Sequence, residues 1–518
     1  MKKIVLIAAM ILTLVSLAAC SKTSATAMID NYDITVSTVN VDVEVNDPNS
    51  EITGETYIKI FDEDDEYVSS QSLVFEDGET SLEDNITFTG LDSDSTYVLR
   101  VIATIEKKNV ELVEGTFDTY AEEETYITTA EEFLAMKSNR TGEYVLSNDI
   151  DFTGVDFEIP FPSGKNFSGS FDGQGYTLSN ISITDINTYT GVFGYISSGE
   201  ITNVNLDQVS IGTEEAPLET TTSTRIGFVA GYVSSSSGIV SDINVTNSMM
   251  YFSSESKITT YVGGIVGEMR GELSNVTATD ISINVEENSY ADTKIGGIVG
   301  LLYEDATLTE ASVSGDINFD LTGTNLGDDN DSFVYIGGVI GRNNATDTVD
   351  AVSNIYSTVD MDVNISYNTL EETEDAAYAL NIGGLIGLSA ATVKNAFYGG
   401  SIVVNQESTD FETNTYKQFN IAGLIGSYAG NIVLEGIVRY GDASTITINV
   451  SDDVQLNFNQ LIAKDFKNSA HIFGVYGTQD ATINDVAVVA LVPAVDDIDN
   501  FFSSDWITEA FEALYAVA

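Results

Sequence analysis

Residues 28–119 alternate apolar and polar side chains with a period of two. Four valines between Val39 and Val45 are separated by single polar residues, which is typical of a β-strand with one face in water. Clusters of turn-forming residues follow at 46–49 and at 62–66, so the strands are short. Several short strands at such spacing predict a β-sandwich.

A leucine and a tyrosine six residues apart, Leu91 and Tyr97, stand within the apolar segment 86–103. This segment resembles a fibronectin type III domain, in which a leucine and a tyrosine at this spacing form the tyrosine corner. The resemblance implies an immunoglobulin- or fibronectin III-like sandwich over 28–119, with Leu91 and Tyr97 as structural residues.

A short motif of glycines around two apolar residues recurs eight times in the rest of the chain, for example as Gly263-Gly-Ile-Val-Gly267. Repetition at intervals of 33 to 51 residues predicts a solenoid. A unit of two or three short strands can bury its apolar stripe only against copies of itself. Glycine is expected where neighbouring backbones approach closely. The motifs end at Gly194, Gly231, Gly267, Gly300, Gly341, Gly387, Gly426 and Gly477.

A second signal follows most of the glycine motifs: one polar residue precedes a small or branched apolar residue. We expect these polar side chains to form a hydrogen-bonded ladder along the stack, because they can satisfy turn backbone groups from unit to unit. The positions are Asn203, Asp242, Asn275, Glu310, Asn354, Asn395 and Asp485.

The repeats resemble the GLUG-repeat family of bacterial surface proteins, and the resemblance covers residues 126–493. The segments 126–133, 142–151 and 167–178 look like the entry segment and first rung of that family. The resemblance implies a right-handed, parallel β-helix-like solenoid of about eight repeats, found in adhesins and in the non-catalytic parts of secreted peptidases. The resemblance implies almost nothing about activity, because the motif residues are structural.

The last segment, 494–518, has the pattern of a short amphipathic helix. Trp506, Phe511 and Leu514 fall on one face and are expected to point inward. We expect this helix to cap the open end of the stack, where strand edges would otherwise be exposed. The predicted fold class is therefore all-β: a β-sandwich, then a parallel β-helix-like solenoid with a short C-terminal capping helix.

The composition excludes several classes of function. The chain has 518 residues and a formal charge of −60, which repels phosphate backbones, so no nucleic-acid partner is expected. Cys20, His471 and Trp506 are the single residues of their types. Zinc sites of the Cys/His type, Cys–His nucleophiles and disulfide frameworks are excluded by count.

The first twenty residues have the pattern of an export signal. Two lysines precede an apolar run that ends in Leu17-Ala-Ala-Cys20. This end resembles the lipobox of bacterial lipoproteins, which implies a signal peptide over 1–19, lipidation of Cys20 and a tether over 20–27. The expected location is the bacterial cell envelope, exposed at the surface, with the membrane as a partner through lipidated Cys20.

Catalytic chemistry has few candidates. Asp149, Asp151 and Asp172 could divide acid and base roles, but the turn signals Asn-Asp and Asp-Gly explain all three without catalysis. The basic residues are scattered singly along the repeats, at Arg225, Lys257, Arg270, Lys294, Arg342 and Lys394. The sequence therefore predicts no catalytic residues.

An acidic run offers candidate metal ligands. Asp328, Asp329 and Asp331 carry hard oxygen atoms of the kind that Ca²⁺ prefers. The alternative is a solvated acidic loop, which we favour because the run has no defined ligand spacing. No other cofactor is expected.

These features predict a cell-surface-anchored, adhesin-like solenoid that binds an extracellular carbohydrate or protein without catalysis. The prediction rests on architecture and location. Two alternatives stay open: an envelope-bound polysaccharide lyase or glycoside hydrolase on a β-helix, and a passive structural spacer at the surface. Six aromatic residues are suited to ligand contact, although each could equally belong to the core: Tyr251, Phe252, Tyr290, Tyr303, Tyr367 and Tyr378.

Overall fold

The computed structural model divides the chain into two compact units, Met1–Glu123 and Glu124–Ala518. Each unit has its own hydrophobic core. The structure describes residues 23–517 except for 36, 76–78, 93–94, 120–123, 255–257, 288–291, 323–331, 346–350, 368–376, 409–415, 430–432, 442–443, 451–454, 460, 463–471, 477–480, 489–501 and 503.

The first unit is a sandwich of two antiparallel sheets. Its strands are β1 (Thr26–Ile34), β2 (Thr38–Asn46), β3 (Ile52–Asp62), β4 (Tyr67–Leu73), β5 (Ser81–Thr89), β6 (Thr96–Ile105) and β7 (Lys108–Asp118). One sheet has the order β1-β2-β5 and the other β4-β3-β6-β7. The four valines of β2 are buried and the polar residues between them are half-buried, as the period-two pattern predicts. Strand β1 begins at Thr26, inside the segment expected to be tether.

Leu91 and Tyr97 are both buried in the core of the sandwich. The hydroxyl of Tyr97 accepts a hydrogen bond from the backbone N–H of Asp92 at 2.8 Å. The ring of Tyr97 stacks on Phe117 with 5.6 Å between centroids. The pair therefore ties the loop before β6 to the core, which is the role expected of a tyrosine corner.

The second unit consists mainly of short parallel strands. Its first elements are β8 (Thr125–Ile127), α1 (Ala130–Ala135), a 3₁₀ turn (Met136–Ser138), β9 (Glu143–Leu146), β10 (Ile150–Asp151), β11 (Ser170–Asp172), β12 (Thr177–Ser179), β13 (Ser182–Ile183), β14 (Tyr189–Thr190), β15 (Gly194–Ile196), β16 (Glu200–Asp207), β17 (Ser210–Ile211), β18 (Leu218–Thr220), β19 (Thr224–Gly227), β20 (Ala230–Val233), β21 (Ile239–Thr246), β22 (Met249–Ser254), β23 (Thr259–Gly263) and β24 (Val266–Met269).

The later elements continue the same succession to the end of the chain. They are β25 (Glu272–Glu287), β26 (Asp292–Gly296), β27 (Val299–Leu302), β28 (Thr307–Leu321), β29 (Ser332–Gly337), β30 (Ile340–Asn343), β31 (Val352–Tyr367), β32 (Ala377–Gly383), β33 (Ile386–Ser389), β34 (Val393–Tyr398), β35 (Ile402–Ser408), β36 (Tyr416–Ala422), β37 (Ile425–Tyr428), β38 (Leu434–Tyr440), β39 (Ile446–Asn449), β40 (Gln455–Asn459), β41 (Ile472–Tyr476), β42 (Thr482–Ile483), β43 (Val486–Ala487) and α2 (Asp505–Val517).

The strands of the second unit form three sheets that enclose one core. Sheet A has 21 strands, sheet B has eight (β14-β19-β23-β26-β29-β32-β36-β40) and sheet C has seven (β15-β20-β24-β27-β30-β33-β37). Successive rungs pair in parallel, and one hydrophobic cluster runs from Ile127 to Ala481 between the sheets. The predicted all-β class with a parallel β-solenoid is confirmed.

The glycine motif forms the turn from a strand of sheet B to a strand of sheet C. In one rung, β23 ends at Gly263 and β24 begins at Val266. A Cβ atom on Gly264 would lie 2.0 Å from the carbonyl oxygen of Gly297 in the next rung. Glycine is therefore required here because consecutive turns stack backbone on backbone.

The eighth unit has a different register from the one that its glycines predict. Gly474 pairs with Val438 in sheet A, so it does not lie at the turn between sheets B and C. That turn lies instead at residues 459–462, where Asn459 pairs with Ala422. Strand β40 is the last of sheet B among the described residues, so no following rung demands glycine there. Gly477 lies outside the described residues.

The predicted polar positions lie in sheet A, and two neighbouring pairs of them are joined by side-chain hydrogen bonds. Six of its positions have left-handed backbone with φ between +49° and +56°, which asparagine and aspartate adopt more easily than most residues: Asn203, Asp242, Asn275, Glu310, Asn354 and Asn395. The amide of Asn275 donates to Asp242, and that of Asn395 donates to Asn354. Asp485 is an exception, because it lies in the hairpin between β42 and β43.

The N-terminal end of the solenoid is closed by α1. Thr129 caps this helix in a capping box with Glu132. Phe133 of α1 is fully buried and meets Phe152, Phe171 and Phe193 edge to face, with centroids 5.6 to 5.8 Å apart. The helix thus places an aromatic plug over the first rung, as terminal rungs of a repeat array require.

The C-terminal helix α2 lies on the outer face of sheet A and not over the end of the stack, so its expected position is wrong. Trp506 contacts Tyr356 and Phe511 contacts Phe397, with centroids 5.7 and 5.3 Å apart. The outer face carries large apolar side chains at these rungs, and burying them against the helix favours this position. Trp506 and Phe511 point inward as predicted, and the side chain of Leu514 lies outside the described residues.

Candidate functional site

Two columns of side chains on the outside of the solenoid carry most of its ring–cation contacts. The parallel pairing of sheet B aligns residues that each lie two positions before the first motif glycine: Tyr189, Arg225, Tyr261, Lys294 and Tyr335. The pairing of sheet C aligns residues that each follow the last motif glycine: Tyr195, Tyr232, Glu268, Leu301 and Arg342.

The two columns meet because sheets B and C approach each other beside the glycine turn. A Cβ atom on Gly267 of sheet C would lie 2.7 Å from the backbone nitrogen of Ile226 in sheet B. Further from the turn, the outward side chains of sheets B and C fill the space between the two sheets. Tyr189 lies 4.8 Å from Tyr195 and 5.2 Å from Tyr232, measured between ring centroids.

We call the resulting set of side chains the Tyr–Arg cluster. It draws on both columns and on two residues that follow strands of sheet C. Its members are Tyr189, Tyr195, Arg225, Tyr232, Tyr261, Glu268, Arg270, Lys294, Tyr303, Tyr335 and Arg342.

Glu268 is the buried centre of the cluster, with 1% of its side chain exposed. Its carboxylate forms ion pairs with Arg225 and Arg270, and the bond to Nη2 of Arg270 is 2.9 Å long. Two guanidinium groups on one carboxylate satisfy most of its lone pairs, which a buried charge requires. The two guanidinium groups and one carboxylate together carry a net charge of one positive unit.

Aromatic rings surround both guanidinium groups. The Cζ atom of Arg225 lies 4.7 Å from the ring centroid of Tyr232 and 4.9 Å from that of Tyr261. The Cζ atom of Arg270 lies 3.8 Å from the ring centroid of Tyr303. Each contact places the cation against the negative face of a ring.

Lys294 and Arg342 extend the cluster into the next rungs. Lys294 is buried, pairs with Asp292 and lies 4.9 Å from the ring centroid of Tyr261. Burial lowers the pKa of Lys294, and the carboxylate of Asp292 opposes that shift. Arg342 lies 5.3 Å from the ring centroid of Tyr335 and donates through Nε to Asn344 at 2.9 Å. Among the described residues, Arg342 has no carboxylate partner.

Five of the six phenol groups in the cluster have no hydrogen-bond partner among the described residues, and the sixth, that of Tyr195, accepts a hydrogen bond from Ser234 at 3.1 Å. Within the described part of the chain, no hydrogen bond engages the hydroxyls of Tyr189, Tyr232, Tyr261, Tyr303 or Tyr335. Burial raises the pKa of Tyr232 and of Tyr335 to about 12. The hydroxyls of Tyr232 and Tyr335 therefore keep their protons at neutral pH and can donate to a ligand.

The three aspartates considered for catalysis each accept structural hydrogen bonds, two of them within turns and one from a neighbouring rung. Asp149 accepts from the backbone N–H of Thr177 at 2.9 Å. Asp151 accepts from the backbone and the hydroxyl of Thr153, and these bonds lower its pKa. Asp172 accepts from the backbone N–H of Gln174. The turn interpretation explains Asp151 and Asp172, whereas Asp149 links its segment to the first residue of β12.

The aromatic residues expected to contact a ligand have different positions. Tyr303 belongs to the Tyr–Arg cluster, whereas Phe252 is only 1% exposed and packs in the core, which is the alternative left open for each of these residues. Tyr251 is half-buried on sheet A. The side chains of Tyr290, Tyr367 and Tyr378 lie outside the described residues, as do Cys20, His471, Asp328, Asp329 and Asp331.

The site was missed in the sequence because its residues are far apart in the chain. Arg225, Arg270, Lys294 and Arg342 looked scattered, yet the parallel register brings all four together. The missing signal was the position of three of them relative to the glycine motif: Arg225 and Lys294 lie two residues before its first glycine, and Arg342 lies one residue after its last. Lys257 lies outside the described residues, and Lys394 lies on sheet A, away from the cluster.

The described residues contain no group of three or more His, Cys, Asp or Glu side chains that would hold a metal ion. Nor does any described helix have the length and apolar character needed to cross a membrane. Comparison with protein-family models gives no match, and no curated protein is significantly similar to the chain.

Proposed function

We propose that this is an exported, lipid-anchored surface protein whose solenoid binds an extracellular carbohydrate or protein without catalysis. The Tyr–Arg cluster is the observation that carries the proposal. It lies outside the hydrophobic core and combines aromatic rings, guanidinium groups and five phenol hydroxyls that have no hydrogen-bond partner among the described residues. Tyrosine and arginine are the residue types that dominate binding surfaces.

The cluster is not explained by the needs of the fold. Its ion pairs and ring contacts stabilise the rungs, but the five hydroxyls contribute nothing to the protein's own hydrogen bonding in the described residues. A binding site leaves polar groups of this kind at the surface, because the ligand satisfies them.

The anchor and the family resemblance are parts of the same proposal. Cleavage before Cys20 and lipidation of its thiol would tether the chain to the envelope and leave the GLUG-like solenoid outside. No observation favours the lyase or hydrolase alternative, because Asp149, Asp151 and Asp172 each accept structural hydrogen bonds from backbone N–H groups.

The binding proposal is tested with the purified full chain on an array of polysaccharides and surface proteins. We expect one ligand class to bind, and the double variant Tyr232→Ala/Tyr303→Ala to lose at least tenfold in affinity. Tyr176→Ala is the matched control, because Tyr176 is 38% exposed and lies outside the cluster. Binding that survives the double variant would refute this site, and the absence of any ligand would favour the passive spacer.

The anchor is tested by changing Cys20→Ala and expressing the full chain in a bacterial host. We expect the wild type to enter the detergent phase on phase separation and the variant to leave it, because the lipid would be the anchor. Cys20→Ser is a second variant with a near-isosteric side chain and the same expected result. A variant that stays in the detergent phase would contradict lipidation at Cys20.

A further inference from the structure

The Tyr–Arg cluster has a local charge opposite to that of the chain. Arg225, Arg270, Lys294 and Arg342 outnumber the carboxylates among them, Glu268 and Asp292, by two. The whole chain carries a formal charge of −60. We propose that this cationic island binds the carboxylate or sulfate groups of an anionic polysaccharide, an inference that rests on the binding function proposed above.

Arg342 is the primary anion contact in this proposal. Its Nε donates to Asn344, and Tyr335 supports the guanidinium plane, so the group is oriented while its terminal nitrogens stay unpaired among the described residues. An oriented guanidinium binds a carboxylate or sulfate through two parallel hydrogen bonds. Arg270 is the second contact, since 34% of its side chain is exposed beside Glu268.

The cations follow the long axis of the solenoid. Arg225 and Lys294 are separated by one strand of sheet B, and Arg342 belongs to the rung after Lys294. Strands in a sheet are about 4.8 Å apart, so the cations span about 14 Å along the stack. A linear polyanion lying along this axis meets several cations in succession, which a single small anion cannot do.

The lining of the cluster favours a polysaccharide over an acidic peptide. Peptides are usually held in apolar pockets or paired with an exposed strand edge. Leu301 is the aliphatic member of the two columns at these rungs and is only 5% exposed. The strands here are paired on both sides, so they offer no edge. The unpaired tyrosine hydroxyls instead match the hydroxyl groups of sugars.

The test measures the affinity of the full chain for four polymers: polygalacturonate, dextran sulfate, uncharged dextran and poly-glutamate. Polygalacturonate and dextran sulfate separate carboxylate from sulfate recognition, and dextran is the neutral match of dextran sulfate. We expect at least one anionic polysaccharide to bind tenfold or more tightly than dextran, and its affinity to fall as NaCl rises.

The variant Arg342→Gln is expected to lose at least tenfold in affinity for the anionic polymer, and Arg342→Lys to lose less. Lys137→Gln is the control, because Lys137 is an exposed cation paired with Glu158 away from the cluster. Equal binding of dextran, or an affinity unaffected by Arg342→Gln, would overturn the anionic assignment and leave the binding function intact. Binding of poly-glutamate alone would overturn it in favour of an acidic peptide. If neither these polymers nor the array bound, the binding function itself would fail.

Discussion

The outer column of sheet B changes its chemistry halfway along the solenoid. Its first five residues are three tyrosines and two cations, whereas the next three are Asn381, Asn420 and Asn457. The asparagines bond to one another, with distances of 2.7 and 2.8 Å between amide nitrogen and carbonyl oxygen. The same backbone thus accepts a self-satisfied ladder or a cluster with unpaired hydroxyls. The fold requires neither tyrosine nor arginine in this column, which is consistent with the binding role proposed above.

The largest expected effect tests whether both halves share one backbone design. We call the rungs from Tyr189 to Tyr335 the tyrosine half and those from Asn381 to Asn457 the asparagine half. Gly267→Val in the tyrosine half and Gly426→Val in the asparagine half should each destabilise the solenoid by more than about 4 kcal/mol. In both, the added Cβ would lie 2.6 to 2.7 Å from a backbone nitrogen of sheet B. Chemical denaturation gives the free energies. Ser241→Val on sheet A is the control, and an unchanged midpoint for either glycine variant would show that the halves differ in backbone.

The interior beneath the tyrosine half contains a buried acid, and its titration should make stability depend on pH. Burial raises the pKa of Glu287 to about 8, while Thr293 donates a hydrogen bond to one oxygen and the other has no partner among the described residues. Glu287 pairs with Leu321 in the next strand of sheet A, and Leu321 pairs with Ile365 in the strand after that. Apolar residues therefore occupy the equivalent position in the two following rungs.

The folded state keeps the proton of Glu287 that the unfolded state releases at its ordinary pKa of 4.5. Its contribution to stability is therefore complete below pH 4.5 and is lost as the pH rises towards 8. Glu287→Gln should remove this loss, so the variant gains a few kcal/mol relative to the wild type between pH 4.5 and 8. Unfolding curves across this range provide the measurement, and parallel pH profiles for the two proteins would contradict the assignment.

Removing the central carboxylate should damage the tyrosine half alone. Glu268→Ala leaves Arg225 and Arg270 without their shared partner, and we expect a loss of about 3 kcal/mol. Glu219→Ala is the control because Glu219 is exposed. A loss no greater than that of the control would mean that the cations are already satisfied by solvent and rings.

The smallest effect is expected in the asparagine half. Asn420→Ala breaks the bonds to Asn381 and Asn457 and should cost about 1–2 kcal/mol. Ligand affinity should not change, because the ladder lies outside the Tyr–Arg cluster. A drop in affinity as large as that of Tyr232→Ala/Tyr303→Ala would show that the binding surface extends over both halves.

Local patterns predicted the elements well because each reports its own surroundings. The alternating valines of β2 are buried as expected, and the glycine motif marks the turn from sheet B to sheet C. The position of α2 was not predictable in this way. Its apolar face was recognised, but the apolar outer face of sheet A, formed by Tyr356 and Phe397, becomes visible only when the rungs are aligned.

The candidate site depends even more on alignment between rungs. Glu268 looks like one of many acidic residues in the sequence, yet it is buried between two arginines that lie 43 residues before it and two after it. Uneven insertions between the motifs conceal this register. The segment Gly474-Val-Tyr-Gly477 shows how a motif alone can mislead the alignment of rungs. It has the sequence pattern of the motif, but Gly474 lies in sheet A and not at the turn between sheets B and C.

The placement of α2 bears on how the solenoid comes apart. A linear array can lose its last rung by breaking one interface, so fraying normally starts at an open end. Phe511 contacts both Phe397 and Tyr440, and Trp506 contacts Tyr356, so the helix bridges three consecutive rungs. Peeling these rungs away one at a time first requires the helix to detach. Helix α2 therefore couples the loss of three rungs into one event.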